Sequence, residues 1–227
     1  MNMDEKSIRP VAYIKNGFTD KFGIPRQAGR VEEVESEIFF EKEFRSPDAV
    51  REIEGFDRLW LIFGFSEAKE NGSLTVRPPR LGGNTRVGVF ASRSPFRPNG
   101  LGLSCVRLIR VDTRDGGPVL VVSGADLLSG TPIYDIKPYL PHADAYPDAK
   151  GGYSDADAAH RIKVVDPDGS LSSLPEVVRK AVVGCIEDDP RPSYQNEGRE
   201  YGMTYAGYNV RFAVKDGAAE IVSVEKL

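Results

Sequence analysis

The sequence predicts a mainly β chain, a sandwich or barrel through its first two thirds followed by a small α+β tail. Three observations carry this. Short runs of strand length, alternating or wholly apolar, recur between residues 10 and 140 and are separated by turns rich in Gly and Pro. Apolar periodicity then lapses over "ADAYPDAKGGYSDADAA" (143–159), which reads as a linker or mobile loop. Beyond it come one amphipathic helical pattern and three strand patterns.

Taken in order, "PVAYIKN" (10–16) alternates as a half-buried strand does, and "GRVEEVESEIFF" (29–40) has the same period less regularly. "SPDAVREIEG" (46–55) reads as a helix, with Ser46 as cap, Pro47 in the first turn and Gly55 at the stop. "FDRLWLIFGF" (56–65) is apolar throughout and predicts a buried strand. "TRVGVFAS" (85–92), "LGLSCVRLIRVD" (101–112), "PVLVVSGAD" (118–126) and "TPIYDIKPYL" (131–140) predict four more. In the tail, "SSLPEVVRKAVVGCIEDDP" predicts a helix capped by Ser173 and ended by Pro190. Its apolar face is Leu174, Val177, Val178, Ala181, Val182 and Cys185. Three strands follow, the last two joined by a turn at Lys215-Asp216-Gly217.

Composition removes several functional classes. At 227 residues and 40% hydrophobic, the chain can bury a core without disulfides or metal. Cys105 and Cys185 lie far apart in apolar surroundings and read as buried thiols, an expectation that goes with the cytoplasm. No apolar run is long enough to span a membrane, and the acidic N-terminus has no signal-peptide core. His142 and His160 are the only histidines and no CxxC occurs, so no metal site is expected and a hydrolase triad is poorly served. GxGxxG and P-loop motifs are absent.

One feature of the charge distribution points to function. From Asn71 to Val111 there is no Asp, Glu or Lys, but there are seven arginines: 77, 80, 86, 93, 97, 107 and 110. That strip carries +7 in a chain of net charge −4, so the remainder carries −11. Arginine without lysine favours oriented contacts to oxyanions and stacking on bases over diffuse attraction. "RSPFRPNG" fixes Arg93 and Arg97 in a proline-bounded loop with Phe96 beside them; Arg107 and Arg110 read as solvated strand residues. "GADLLSGTPIYDIKPYLP" (124–141) places Asp126 after a strand and sets Asp135, Lys137 and Tyr139 on one face of the next. "GIPRQAG" (23–29) holds Arg26 and Gln27 in a loop.

These stretches together resemble the TsaA-like family, also called TrmO or YaeB. The likeness rests on "IPRQ" (24–27), "TVRPPRLGGNTRVGVFASRSPFRPNGLGLS" (75–104) and "DLLSGTPIYDIKPYLPHAD" (126–144). "DPRPSYQ" (189–195) and "EGREYGMTYAGYNVRF" (197–212) extend it through the tail. The resemblance implies a β-barrel, cofactor-binding domain over 1–148 and a small α+β domain over 149–227. It implies a homodimer that uses S-adenosylmethionine without a Rossmann fold and methylates N6 of threonylcarbamoyladenosine at tRNA position 37, with tRNA-Thr the expected acceptor. Pro25, Arg26, Gln27, Ser66, Glu67, Arg93, Leu103, Asp126, Leu127, Leu128 and Ser129 would line the cofactor site. Asp135 is the candidate base, Lys137 or Arg93 the anion stabiliser, and Tyr139 an orienting group. Arg77, Arg80, Arg97, Arg191 and Tyr194 are the expected tRNA contacts. The sequence departs from the family pattern at Gly100-Leu101, where Pro-Ile is usual, at Ser129, often Asp, and at Ser66, often His. Two rival readings are a non-catalytic RNA-binding module and a methyltransferase of the same fold acting on another acceptor.

Overall fold

The computed structural model describes residues 7–68, 72–82, 84–157, 159–192 and 198–227. In chain order its strands and helices are β1 (Ala12–Lys15), β2 (Glu35–Phe40), β3 (Arg58–Gly64), β4 (Thr75–Val76), β5 (Val87–Gly88), β6 (Leu101–Arg114), β7 (Gly117–Ser123), β8 (Pro132–Pro138), α1 (Pro141–Asp144), β9 (Lys163–Val165), α2 (Glu176–Glu187), β10 (Glu200–Tyr205), β11 (Tyr208–Lys215) and β12 (Ala218–Lys226). The chain is mainly β, as its pattern predicts.

Six strands hydrogen-bond in a closed antiparallel ring, in the order β1-β2-β7-β6-β3-β8 and back to β1. Alternation along each strand sends one row of side chains inward. Ile14, Ile38, Leu59, Leu61, Leu120 and Ile133 are fully buried there. Burying each such side chain stabilises the fold by roughly 1.5–3 kcal/mol. β7 is buried on both faces, which explains its unbroken apolar run. The pairing of β3 with β8 shifts between Ile62 and Phe63, leaving Tyr134 as the extra residue. Its ring lies over Gly64, where a Cβ would sit 2.8 Å from Tyr134 atoms.

Several predicted elements are revised. Residues 46–55 form two 3-10 turns, Pro47–Val50 and Ile53–Gly55, broken at Glu52 with φ +65°. Ser46 does cap the first, accepting from the Asp48 N–H at 3.2 Å. The break lets Val50, Ile53 and Phe56 all pack against the ring core, which outweighs the helix hydrogen bonds forgone. In 85–92 only Val87–Gly88 is strand, paired with Thr75–Val76, and a 3-10 turn over Val89–Ala91 follows. The strand within 29–40 begins at Glu35.

A second sheet runs β10-β11-β12-β9, with β9, unforeseen in the sequence, parallel to β12. The turn between β11 and β12 has positive φ at Asp216 and Gly217, as the sequence pattern requires. Helix α2 buries Ala181, Val182, Cys185 and Ile186. Ser173 does not cap it: its hydroxyl donates to the Ser170 carbonyl at 2.7 Å in a preceding 3-10 turn, and Pro175 holds the cap position. Val177, expected on the apolar face, is 61% exposed. The core beneath this sheet also contains Phe18, Val31 and Val34, from the long connection between β1 and β2.

Candidate functional site

Three segments far apart in sequence converge near one end of the ring. The 23–29 loop is anchored by buried Pro25 and carries Gln27, whose amide donates to the Arg26 carbonyl at 2.6 Å. The 92–97 loop carries Arg93, whose Nη1 donates to Gln27 Oε1 at 2.5 Å. The segment after β7 carries Asp126, which accepts a 2.5 Å hydrogen bond from the Ser104 hydroxyl on β6. Burial pushes the Asp126 carboxyl above the usual carboxylate range. Ser104, the backbone N–H groups of Asp126 and Ala28, and the charge of Arg93 oppose that rise. The arrangement is a half-buried acid beside a guanidinium that, among the described residues, engages Gln27 through one nitrogen.

The arginine loop is built by its own short bonds. Ser92 donates from its hydroxyl to the Val89 carbonyl at 2.9 Å, and Arg97 Nη1 donates to the Ser92 carbonyl at 2.9 Å. The Phe65 N–H bonds the Gly100 carbonyl at 2.8 Å, which ties this loop to the end of β3 and the exposed Ser66 and Glu67. Gly100 adopts φ +56°, a conformation closed to the proline usual in the resembling family. Glu67 contributes its carbonyl to Lys21 Nζ at 3.0 Å.

The 126–129 turn divides its side chains. Leu127 is buried in the ring core and Leu128 packs against the second core. The Ser129 hydroxyl accepts from the Asn16 N–H at 3.3 Å, while Asn16 Nδ2 donates to the Leu127 carbonyl at 2.8 Å. Asp126 and the backbone are therefore what this turn offers a ligand.

The three residues assigned to proton handling lie on the outer face of the ring. Register aligns Leu103, Ile62 and Asp135 across β6, β3 and β8, and in the next row Cys105, Trp60 and Lys137. Leu103 is 54% exposed. Asp135 and Lys137 form an ion pair at 3.0 Å, and Tyr139 lies against Trp60 with ring centroids 5.8 Å apart. Leu103 faces outward while its neighbour Ser104 faces the Asp126 carboxyl.

Arg77 is exposed, and Arg86, just before β5, donates to the Thr75 hydroxyl at 3.0 Å. Arg110 pairs with Asp112 at 3.0 Å. Among the described residues Arg77, Arg86, Arg97 and Arg107 form no ion pair. Arg191 is different: its largely buried guanidinium forks onto Asp189 at 2.7 and 3.0 Å. The side chain of Arg80 and all of Tyr194 lie outside the described residues. A cleft of about 570 Å³ between α2 and residues 30–33 contains none of the predicted site residues. Its charged lining has both signs. No metal-binding group of side chains and no helix long and apolar enough to cross a membrane occurs among the described residues.

Sequence reasoning missed Ser104, Asn16, Asp188 and Asp189. The last two left a legible signal, since two carboxylates at a helix C-terminus oppose its dipole and require cations.

The sequence matches the tRNA-methyltransferase O N-terminal domain family over residues 13–145 and the TrmO C-terminal domain family over 169–227. It is 38% identical to the tRNA (adenine(37)-N6)-methyltransferase of Escherichia coli (strain K12), across 98% of this chain and 99% of that protein. A putative S-adenosylmethionine-dependent methyltransferase of Pseudomonas aeruginosa is 39% identical across 87% of each chain. The crystal structure of TrmO from P. aeruginosa superposes with a TM-score of 0.79 at 31% identity, over 100% of this chain and 99% of that one.

Proposed function

The chain belongs to the tRNA-methyltransferase O family, and from that premise we propose that it transfers a methyl group from S-adenosylmethionine to N6 of adenine 37 in tRNA, with threonylcarbamoyladenosine of tRNA-Thr as the acceptor. The observation that carries this reading is the convergence of Gln27, Arg93 and Asp126 on one spot. We read the strand ring as a β-barrel of residues 1–148, residues 149–227 as a small α+β domain, and the working unit as a cytoplasmic homodimer. The closed strand order supports the first of these.

The donor set fits the cofactor. S-adenosylmethionine, when bound, supplies an electrophilic methyl on a sulfonium, and carries a carboxylate, an ammonium and a nucleoside. Arg93 has donors left for a carboxylate, Asp126 offers a carboxyl to cations or hydroxyls, and exposed Leu103 offers apolar surface to a base. Pro25 and Arg26 hold Gln27 in place, and Ser66 and Glu67 border the loop that carries Arg93.

The N6 proton of the acceptor must leave as the new N–C bond forms. Asp135 is positioned on an open face to take it at a carboxylate oxygen, with Lys137 alongside to balance charge and Tyr139 to orient the pair. A positioned base contributes typically 10²–10⁴-fold. Arg77, Arg80 and Arg97 serve the tRNA phosphates, and Phe96, 44% exposed, offers a stacking surface. Arg191 is assigned to holding its own turn instead.

The test is transfer of labelled methyl to tRNA from cells that make threonylcarbamoyladenosine and from cells that cannot. Label confined to the first pool is the expected result. Equal label in both pools would remove the modified base as acceptor, and no label despite cofactor binding would point to a different acceptor.

A further inference from the structure

The end of α2 is unusually demanding of its neighbours. Asp188 and Asp189 are 2% and 8% exposed, and both sit where the helix dipole disfavours negative charge. Buried carboxylates need charged or hydrogen-bonding partners, and those of Asp188 come from the 23–30 loop. Asp188 Oδ2 accepts from the Arg26 backbone N–H at 3.2 Å, and Oδ1 accepts from Arg30 Nε. Arg26 Nη2 donates to the Asp189 carbonyl at 2.8 Å and to the Arg191 carbonyl. The Asp189 carboxylate is in turn held by Arg191 and by His160 Nε2 at 3.1 Å. Arg161 closes the clasp by donating to the carbonyls of Arg30 and Gly184.

The clasp grips the loop on both sides of Gln27, the residue that meets Arg93. We propose that Asp188, supported by Asp189, is a positioning residue for the cofactor site: it fixes Arg26 and Arg30 so that Gln27 is held against Arg93. It touches neither cofactor nor acceptor. The tail of the chain thereby sets the affinity of a site whose lining belongs to the first 148 residues. This inference rests on the reading that the loop and Arg93 bind S-adenosylmethionine.

Calorimetric titration of the full chain with S-adenosylmethionine tests it, on the unaltered protein, Asp188→Asn, Arg30→Gln and Arg93→Ala. Asparagine keeps the shape of Asp188 but turns a donor toward one of its two donor partners. The expected result is an S-adenosylmethionine Kd and KM raised about tenfold in Asp188→Asn, which corresponds to about 1.4 kcal/mol. Turnover at saturating cofactor and the KM for tRNA stay within about twofold, a split that general loosening of the fold would not give. Arg30→Gln moves the same way and carries the test if Asp188→Asn fails to fold. Unchanged cofactor affinity in folded Asp188→Asn, with affinity lost in Arg93→Ala, overturns the inference and leaves the site reading intact. Unchanged affinity in Arg93→Ala as well overturns the site reading, and the inference with it.

Discussion

Arg93 and Gln27, separated by 66 positions, meet through a 2.5 Å hydrogen bond that joins two loops with no strand pairing between them. The bond uses one of the five guanidinium donors and aims the rest. Lysine at 93 keeps the charge but has no planar fork, so Arg93→Lys is expected to weaken S-adenosylmethionine binding several-fold and Arg93→Ala about tenfold or more. Calorimetry on folded variants checks the order.

Asp126 gives a pH-dependent signature. Its carboxyl is raised above 3.8 in the folded protein by burial, so the native state keeps this proton to higher pH than the unfolded chain. Within that window the folded state binds more protons, and its stability falls as pH climbs from 3.8 through the folded value. Asp126→Asn is expected to flatten this part of the profile. Arg93→Ala is expected to extend it upward, because the guanidinium opposes the rise. Urea unfolding midpoints across pH measure both.

Gly102 on β6 is required by packing. A Cβ there would lie 2.3 Å from the Phe63 ring, its register partner on β3. Gly102→Ala is expected to cost about 1–3 kcal/mol of unfolding free energy. Gly88→Ala, which meets nothing within 4 Å, serves as the comparison and is expected to shift the midpoint far less.

Asp135→Asn separates proton transfer from binding. Turnover is expected to drop about 10²-fold or more with cofactor affinity unchanged. Unchanged single-turnover rates would remove Asp135 as the base.

Arg77 is exposed and has no ion pair among the described residues, which suits it to phosphate. Arg77→Ala is expected to make the log–log salt dependence of tRNA binding shallower by about 0.7–0.9. S-adenosylmethionine affinity should not move. A slope equal to that of the unaltered chain would exclude a phosphate contact at this position.

The ring strands were legible because inward and outward residues alternate, and β7 because it is apolar throughout. The 46–55 segment misled for a local reason: good caps and a helical composition cannot reveal that Val50, Ile53 and Phe56 must all reach one core. β9 was missed because its partner β12 lies more than fifty residues away and three residues carry no period. Arg93 stood out by its proline-bound loop, and the structure brings it to Gln27 and Asp126. Ser104 was invisible, since nothing in "LGLSC" distinguishes a serine facing a half-buried acid from one facing solvent. Asp135, Lys137 and Tyr139 share a face as the alternation predicts, because all three follow the irregularity at Tyr134.

The sharing of Phe18, Val31 and Val34 with the core beneath the second sheet has a consequence for limited proteolysis. The stretch from Ala143 to Asp155 is exposed throughout and offers a protease its natural entry. A single nick there would sever the backbone without dissolving that core, which is assembled from both sides of the cut. The two fragments should migrate together under native conditions and part only in denaturant. Each, produced separately, would leave part of that apolar assembly without its counterpart, so solubility should return on mixing.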